Sequence, residues 1–360
     1  MRICFLATAD SIHSKKWIEF FTKRGHEIHW ITLTPNYFGE IKNVKIYFFK
    51  KYPGKALDIA LNVIPIRRLI KKINPDILHA HYAGVNGVLA ALSGFHPFVL
   101  TAWGSDILIT VKSKIVKPLI KFALNKADLI TCDAGHMEEA IIKLGADAAK
   151  IKIINFGINV EKFSPHAKDE NLIKELKIQD SSVIISLRNF EPIYNIETLI
   201  RAIPIVVKEL PKAKFIIAGK GQEEERLKNL VKNLKIEENV RFIGFIRNDD
   251  LPRYLRTADI YVSTSLSDAG IAASTAEAMA CGLPVVITTT GENEKWVKDG
   301  EGGCLIPIKN PGTLAQKLIY LMKNENLRKE AGLINRKTIE EKNNYYEEMG
   351  KMEKIYKYLI

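Results

Sequence analysis

This 360-residue sequence lacks the features that would class it quickly. No apolar run approaches the roughly 20 residues that a membrane-spanning helix needs. Cysteine is scarce: Cys4, Cys132, Cys281 and Cys304 are scattered and form no CxxC pair. That excludes a disulfide framework and a cysteine zinc site, and points to a reducing cytoplasm. There is no P-loop, no G-x-S-x-G elbow, no short solenoid repeat and no low-complexity tract. Acid is scarce in one stretch. Between residues 42 and 72 lie Lys42, Lys45, Lys50, Lys51, Lys55, Arg67, Arg68, Lys71 and Lys72, with Asp58 the only acid. A second run carries Lys112, Lys114, Lys117, Lys121 and Lys126 among apolar residues, and the net charge is +12. Such a surface suits anionic lipid headgroups or nucleic acid, or is a solvated face and nothing more. No nucleic-acid-binding module accompanies the charge, so nucleic acid is not an expected partner.

What is present is a rhythm. The segment RICFLAT, residues 2–8, reads as a buried strand rather than a signal peptide, and helical spacing follows from Ile12 to Lys23, with Gly25 suited to its end. HEIHWITL, VKIYFF, DILHAHY, FVLTAW, DLITCD and IKIINFG are further short strands, most of them separated by helical patterns. The rhythm pauses over residues 155–171 and restarts with SVIISLR, AKFIIAG, VRFIGF, DIYVSTS and LPVVITT. Repeated strand-then-helix means a parallel sheet covered on both faces. The expected fold is therefore α/β, with two doubly wound Rossmann-like domains facing a cleft. The expected boundaries are residues 1–160, residues 161–340 and a helix over residues 341–360. In such sheets ligands lie beyond the carboxyl ends of the strands.

Several residues at those ends invite chemistry. AGKGQEEERL, residues 218–227, offers only G-x-G, a weak dinucleotide signal. In SLSDAGIAASTAEAMACGLP, residues 265–284, Gly270, Ile271, Ala272 and Ala273 precede a helix whose N-terminal N–H groups favour a phosphate. Glu277 lies about one turn further in. It either accepts from the two hydroxyls of a ribose or forms one polar face of that helix. Arg188, just past a buried strand, either faces a ligand phosphate or makes a surface ion pair. HAHYAG and TAWGSD follow consecutive strands, so His81, Trp103 and Asp106 are placed for one cleft, for acid–base work or sugar hydroxyls, or His81 is structural. His79 and His81 have no carboxylates beside them, so no metal is expected.

At these residues the sequence resembles, over essentially its whole length, the retaining glycosyltransferases of the GT-B fold, family 4. EAMACGLPVV, residues 277–286, is similar to that family's Glu-Ala-x-Ala-x-Gly-x-Pro-Val-Val signature, NFGINVEKF to its entry into the donor domain, and WVKDGEGGCLIP to the segment after the signature. The resemblance implies transfer of a hexosyl group from a nucleotide-sugar, a UDP- or GDP-sugar, with no cofactor and no metal, to a glycan or lipid-linked acceptor. Residues 1–160 would bind the acceptor and residues 161–340 the donor, with residues 341–360 crossing back to the first domain. Glu277 would bind the ribose, Arg188 the diphosphate together with the amides of Gly270 to Ala273, and the backbone near Ile243 the nucleobase. Asp106 and His81 would serve sugar or acceptor hydroxyls. Three departures stand out. The family's second Glu falls at Ala269, with Asp268 beside it as a substitute. The diphosphate Lys after Arg188 is missing, with Lys220 as a replacement. Trp103 stands where many members carry a cleft His. The reading implies a cytoplasmic enzyme, peripheral at the inner face of the membrane, working on cell-envelope polysaccharide. The rivals are a sugar-nucleotide epimerase on the same fold and a non-catalytic sugar-nucleotide-binding protein.

Overall fold

The computed structural model describes residues 1–36, 39, 41–114, 116–268 and 270–360. The chain forms two compact units, one of residues 1–156 with 346–360 and one of residues 157–345. Each is built on a wholly parallel sheet.

In the first unit the strands are β1 (Arg2–Leu6), β2 (Glu27–Thr32), β3 (Val44–Phe48), β4 (Ile77–His81), β5 (Phe98–Thr101), β6 (Leu129–Cys132) and β7 (Ile151–Ile153), in the order β3-β2-β1-β4-β5-β6-β7. The central strands are short and apolar because both faces are covered, and β1, β4, β5 and β6 are buried almost throughout. The helix Ile12–Lys23 has the span that its spacing leads one to expect, and it starts where Ser11 accepts from the Ser14 N–H. In the second unit the strands are β8 (Ser182–Ser186), β9 (Ala213–Ala218), β10 (Val240–Gly244), β11 (Ile260–Ser263), β12 (Val285–Thr288) and β13 (Gly303–Ile306), in the order β10-β9-β8-β11-β12-β13.

Both sheets reverse direction of growth at one place, between β1 and β4 in the first unit and between β8 and β11 in the second. The loops leaving those strands diverge to opposite sides of the sheet and open a crevice at its carboxyl edge. That geometry decides which residues meet a ligand.

The helix Tyr345–Leu359 belongs almost wholly to the first unit. Tyr356 hydrogen-bonds His79 Nδ1 in the core, Glu353 pairs with Arg24 at 2.7 Å and His26 at 2.9 Å, and Glu348 accepts from the Asn155 N–H at 2.9 Å. Among the described residues no helix is long and apolar enough to cross a membrane.

Candidate functional site

In the second unit, β8 ends at Ser186 and Arg188 follows two residues later, at the crevice. β11 ends at Ser263 and leads to Asp268. The two meet: Arg188 Nη2 donates to Asp268 Oδ1 at 2.7 Å, and the side chains are only 11% and 6% exposed. The guanidinium carbon lies 4.2 Å from the centre of the Tyr194 ring, so one face of the cation is stacked. Arg188 Nε is buried with no partner among the described residues. Burial pushes the Asp268 carboxyl up, opposed by Arg188 and by the nearby Asn293 and Thr290. Arg188 is therefore an enclosed cation with one counter-charge and spare donors.

The loop carrying Arg188 is shaped by glycine. A Cβ on Gly219, whose φ is +151°, would come within 2.5 Å of the Arg188 carbonyl, and one on Gly221 within 2.4 Å of the Phe190 carbonyl. The G-x-G of this turn is thus a packing device, because β9's exit lies directly on the loop after β8. Lys220 between them is exposed, its side chain running over Gly244 at the end of β10. Ile243 sits where the β9–β10 pairing shifts register, so its backbone stands outside the ladder.

Beyond Asp268, Gly270 and Ile271 are buried and Ala272 is the cap of the helix Ala273–Ala280, with no side-chain hydrogen bond to its first N–H groups. Uncapped N–H donors at a helix start are of the kind that suits an anion. Ala269 lies outside the described residues. Glu277 sits in this helix at 5% exposure and does not point to bulk water. The turn after the helix needs Gly282 (φ +78°), and the carbonyl of Gly282 lies 2.2 Å from where a Cβ on Gly332 would be. Arg336 then bridges the carbonyls of Val160, Phe163 and Ala280 at 2.6 to 2.9 Å. These ties hold the helix at a set depth.

In the first unit the structure encloses both polar residues that strand position had singled out. His81 is fully buried at the end of β4, its Nδ1 3.1 Å from Ser14 Oγ, with Phe5, Trp17, His79 and Trp103 around the ring. Burial holds its imidazole at about 3, so it is neutral. Asp106 accepts backbone N–H bonds from Ala83 at 2.7 Å and from Trp103 and Ile107 at 3.1 Å. It ties the loop after β4 to the loop after β5. Strand order predicts which end a residue occupies, not which way its side chain turns, so the structural reading of His81 and these ties of Asp106 come from the packing.

The open space lies beside them. A cavity of about 510 Å³ is lined by Thr8, Asp10, Ser11, Ile12, His13 and Tyr82, at the loops leaving β1 and β4. Sequence reasoning did not single out these residues. The available signal was a strand followed by Asp-Ser and an amphipathic helix at the first β-to-α turn. Among the described residues no group of three His, Cys, Asp or Glu side chains is arranged to hold a metal ion.

Comparison with known proteins follows this division. Residues 2–134 match the family described as glycosyl transferase 4-like, and residues 167–338 match glycosyl transferases group 1. The chain is 27% identical over 350 residues to N-acetyl-alpha-D-glucosaminyl L-malate synthase of Bacillus anthracis, covering 93% of this chain and 90% of that one. It is 27% identical over 271 residues to the Escherichia coli UDP-Gal:alpha-D-GlcNAc-diphosphoundecaprenol alpha-1,3-galactosyltransferase, covering 72% and 69%. Among solved structures, Anabaena HepE in complex with UDP superimposes with a TM-score of 0.86 at 19% identity over the full length of both chains.

Proposed function

Starting from a GT-B glycosyltransferase, which the two matched segments and the fold make this chain, we propose that it moves a hexosyl group from a UDP-sugar to a glycan or lipid-linked acceptor, with retention of configuration and without a metal ion. The observation that carries this is the enclosed Arg188, held by Asp268 at the crevice of the second sheet, in a chain segment that leads within two residues to Gly270 and the uncapped helix. Such a site meets a diphosphate. UDP is favoured over GDP because the Escherichia coli relative is named for UDP-Gal and the Anabaena structure holds UDP.

The chemistry asks little of side chains as acids or bases. The bond from the anomeric carbon to the diphosphate oxygen breaks, the bond to the acceptor oxygen forms on the same face, and the departing phosphate oxygen takes the acceptor proton. The protein's share is positioning and electrostatic stabilisation. Arg188 and the amides of Gly270, Ile271, Ala272 and Ala273 stabilise the departing charge, with Lys220 as the second cation. Each good donor is worth roughly 3 kcal/mol in the transition state. Glu277 accepts from the ribose hydroxyls, and the unpaired backbone at Ile243 meets the base. Asp268 acts through Arg188. His81 and Asp106 act through the loops that they hold.

The test is calorimetry against UDP, GDP, ADP and CMP, with UDP-glucose, UDP-N-acetylglucosamine and GDP-mannose beside them, followed by NMR of the product's anomeric configuration. Micromolar UDP binding that is lost in Arg188→Ala is expected, as is full activity in EDTA. Binding of none of them would remove the donor site, and nucleotide release without acceptor would favour an epimerase.

The helix Lys55–Ile73 supports a membrane-bound acceptor in cell-envelope synthesis, with the enzyme peripheral at an anionic surface. Asp58 and Asn62 turn inward and bind the preceding loop at Tyr52 and Lys50, which sets the helix's rotation. Leu57, Leu61 and Ile64 then stand 47%, 47% and 58% exposed. With Arg68, Lys71 and Lys72 they fall within a strip roughly 100° wide at 100° per residue. An apolar half continued by a basic half suits an anionic bilayer surface. Sedimentation with phosphatidylglycerol vesicles is expected to weaken with salt and to be lost when all three residues become Ser. No sedimentation of the unaltered protein would refute this.

A further inference from the structure

The cavity of the first unit carries information about the acceptor that the family resemblance does not. It opens at the β1/β4 reversal, where a doubly wound sheet receives its ligand. Among the described residues its one acidic side chain is Asp10, whose exposed carboxylate accepts there from Thr34 Oγ1 alone, at 3.4 Å, and so keeps capacity for further donors. The positive end of the helix Ile12–Lys23 faces the same space, but it is already answered: Ser11 accepts from the Ser14 N–H, and the Asp10 carboxylate precedes the cap. Among the described residues no Lys or Arg lines the cavity, and Lys16 acts on His13 from outside the lining.

Tyr82 supplies the independent observation. It is a non-glycine residue at φ +72°, in a region that side chains rarely adopt. Its N–H donates to the Thr101 carbonyl at 2.9 Å and its carbonyl accepts from Gly87 at 3.0 Å, so the loop holds it there. The strained backbone brings the ring to the cavity wall that Ser11 also lines. Burial, with Asp10 and Asp106 nearby, pushes that hydroxyl's pKa up, so it stays a neutral donor. Burial and Lys16 hold His13 at about 4, so the remaining polar wall is also uncharged at neutral pH.

We infer that this cavity takes a neutral polyhydroxylated acceptor, a sugar ring or glycoside, with Asp10 accepting from its hydroxyls and Tyr82 against its face, and that it rejects small dicarboxylates. A carboxylate accepting from paired hydroxyls beside an aromatic face is the chemistry of neutral sugar recognition. A dicarboxylate would meet Asp10 as a like charge, with no Lys or Arg among the described lining residues to pair with it. The inference rests on the reading of the first unit as the acceptor half.

The experiment uses the full-length protein saturated with UDP and follows binding by saturation-transfer NMR and calorimetry. The probes are the methyl glycosides of glucose, galactose, mannose and N-acetylglucosamine, with L-malate as the dicarboxylate. At least one glycoside is expected to bind, Asp10→Asn to weaken it about tenfold, and Asp10→Glu to retain most of the affinity. L-malate is expected not to bind the unaltered protein. Binding of L-malate at least as tight as every glycoside, binding of no glycoside, or glycoside affinity unchanged in Asp10→Asn would each overturn the inference. UDP binding is measured separately in the same samples. Its absence would count against the glycosyltransferase reading, whereas normal UDP binding with the wrong acceptor result counts only against this one.

Discussion

Replacing Asp268 with Asn keeps the shape of the Arg188 partner and removes its charge. The pair is enclosed on both sides, and removing one partner of a buried pair costs about 3–5 kcal/mol, because the other charge is left behind. Asn still accepts one hydrogen bond, and Tyr194 still covers one face of the guanidinium, so the low end of about 3 kcal/mol is expected. For a unit of this size that is about 6–12 °C in Tm. A diphosphate bound at Arg188 would restore a counter-charge. UDP should therefore stabilise Asp268→Asn more than it stabilises the unaltered protein. Scanning calorimetry with and without UDP measures both quantities, and the double variant Asp268→Asn with Arg188→Met closes the cycle. A loss of Tm under about 2 °C would mean that the pair is effectively solvated. An identical UDP-induced shift in both proteins would mean that Arg188 does not meet the diphosphate.

Three further outcomes are expected. Glu277→Ala should raise the donor KM strongly, with Glu277→Gln intermediate; unchanged donor kinetics in either folded variant would remove the ribose assignment. Asp106→Ala should destabilise the first unit by about 3 kcal/mol, since three backbone N–H groups lose an acceptor, while UDP affinity stays unchanged; altered UDP affinity without loss of stability would refute the role of a loop tie. The buried imidazoles set a pH dependence. His81 is held at about 3 against an ordinary 6.5, and burial also lowers His79, so the folded state binds fewer protons than the unfolded one. That stabilisation is present above about pH 6.5 and is lost as pH falls toward the folded value, by about 2 kcal/mol at pH 5 for His81 alone. Urea unfolding followed by tryptophan fluorescence tests it, since Trp17, Trp30 and Trp103 all lie in the first unit; a flat profile from pH 7 to 5 would refute it.

Most of the architecture was legible because parallel strands buried on both faces read as short apolar runs, and helices such as Ile12–Lys23 carry helical spacing with a glycine suited to their end. β13 was not legible. Its sequence, Gly-Cys-Leu-Ile after a second glycine, looks like a turn, yet Gly303 is there because a Cβ would fall 2.0 Å from the Val285 carbonyl. In the second unit the sequence placed Arg188, Asp268 and the small residues before Glu277 at strand ends, since loop position is local. That Asp268 grips Arg188 across 80 positions was not legible, because it depends on β8 and β11 lying side by side. In the first unit, sequence pointed to His81 and Asp106, one position away from Tyr82 and one loop away from Asp10. A left-handed backbone at a tyrosine leaves no trace in the sequence.

The return of the helix Tyr345–Leu359 has a consequence for the timing of synthesis. The first unit is interrupted, and the second is an insertion within it. Residues 1–156 leave the ribosome with His79 facing a hole that Tyr356 will fill, and with Arg24 and His26 lacking Glu353. At about 5–20 residues per second the intervening segment takes roughly 10–40 s to make. Over that interval the second unit, contiguous in the chain, can complete its own core, while the first waits for a helix made after it.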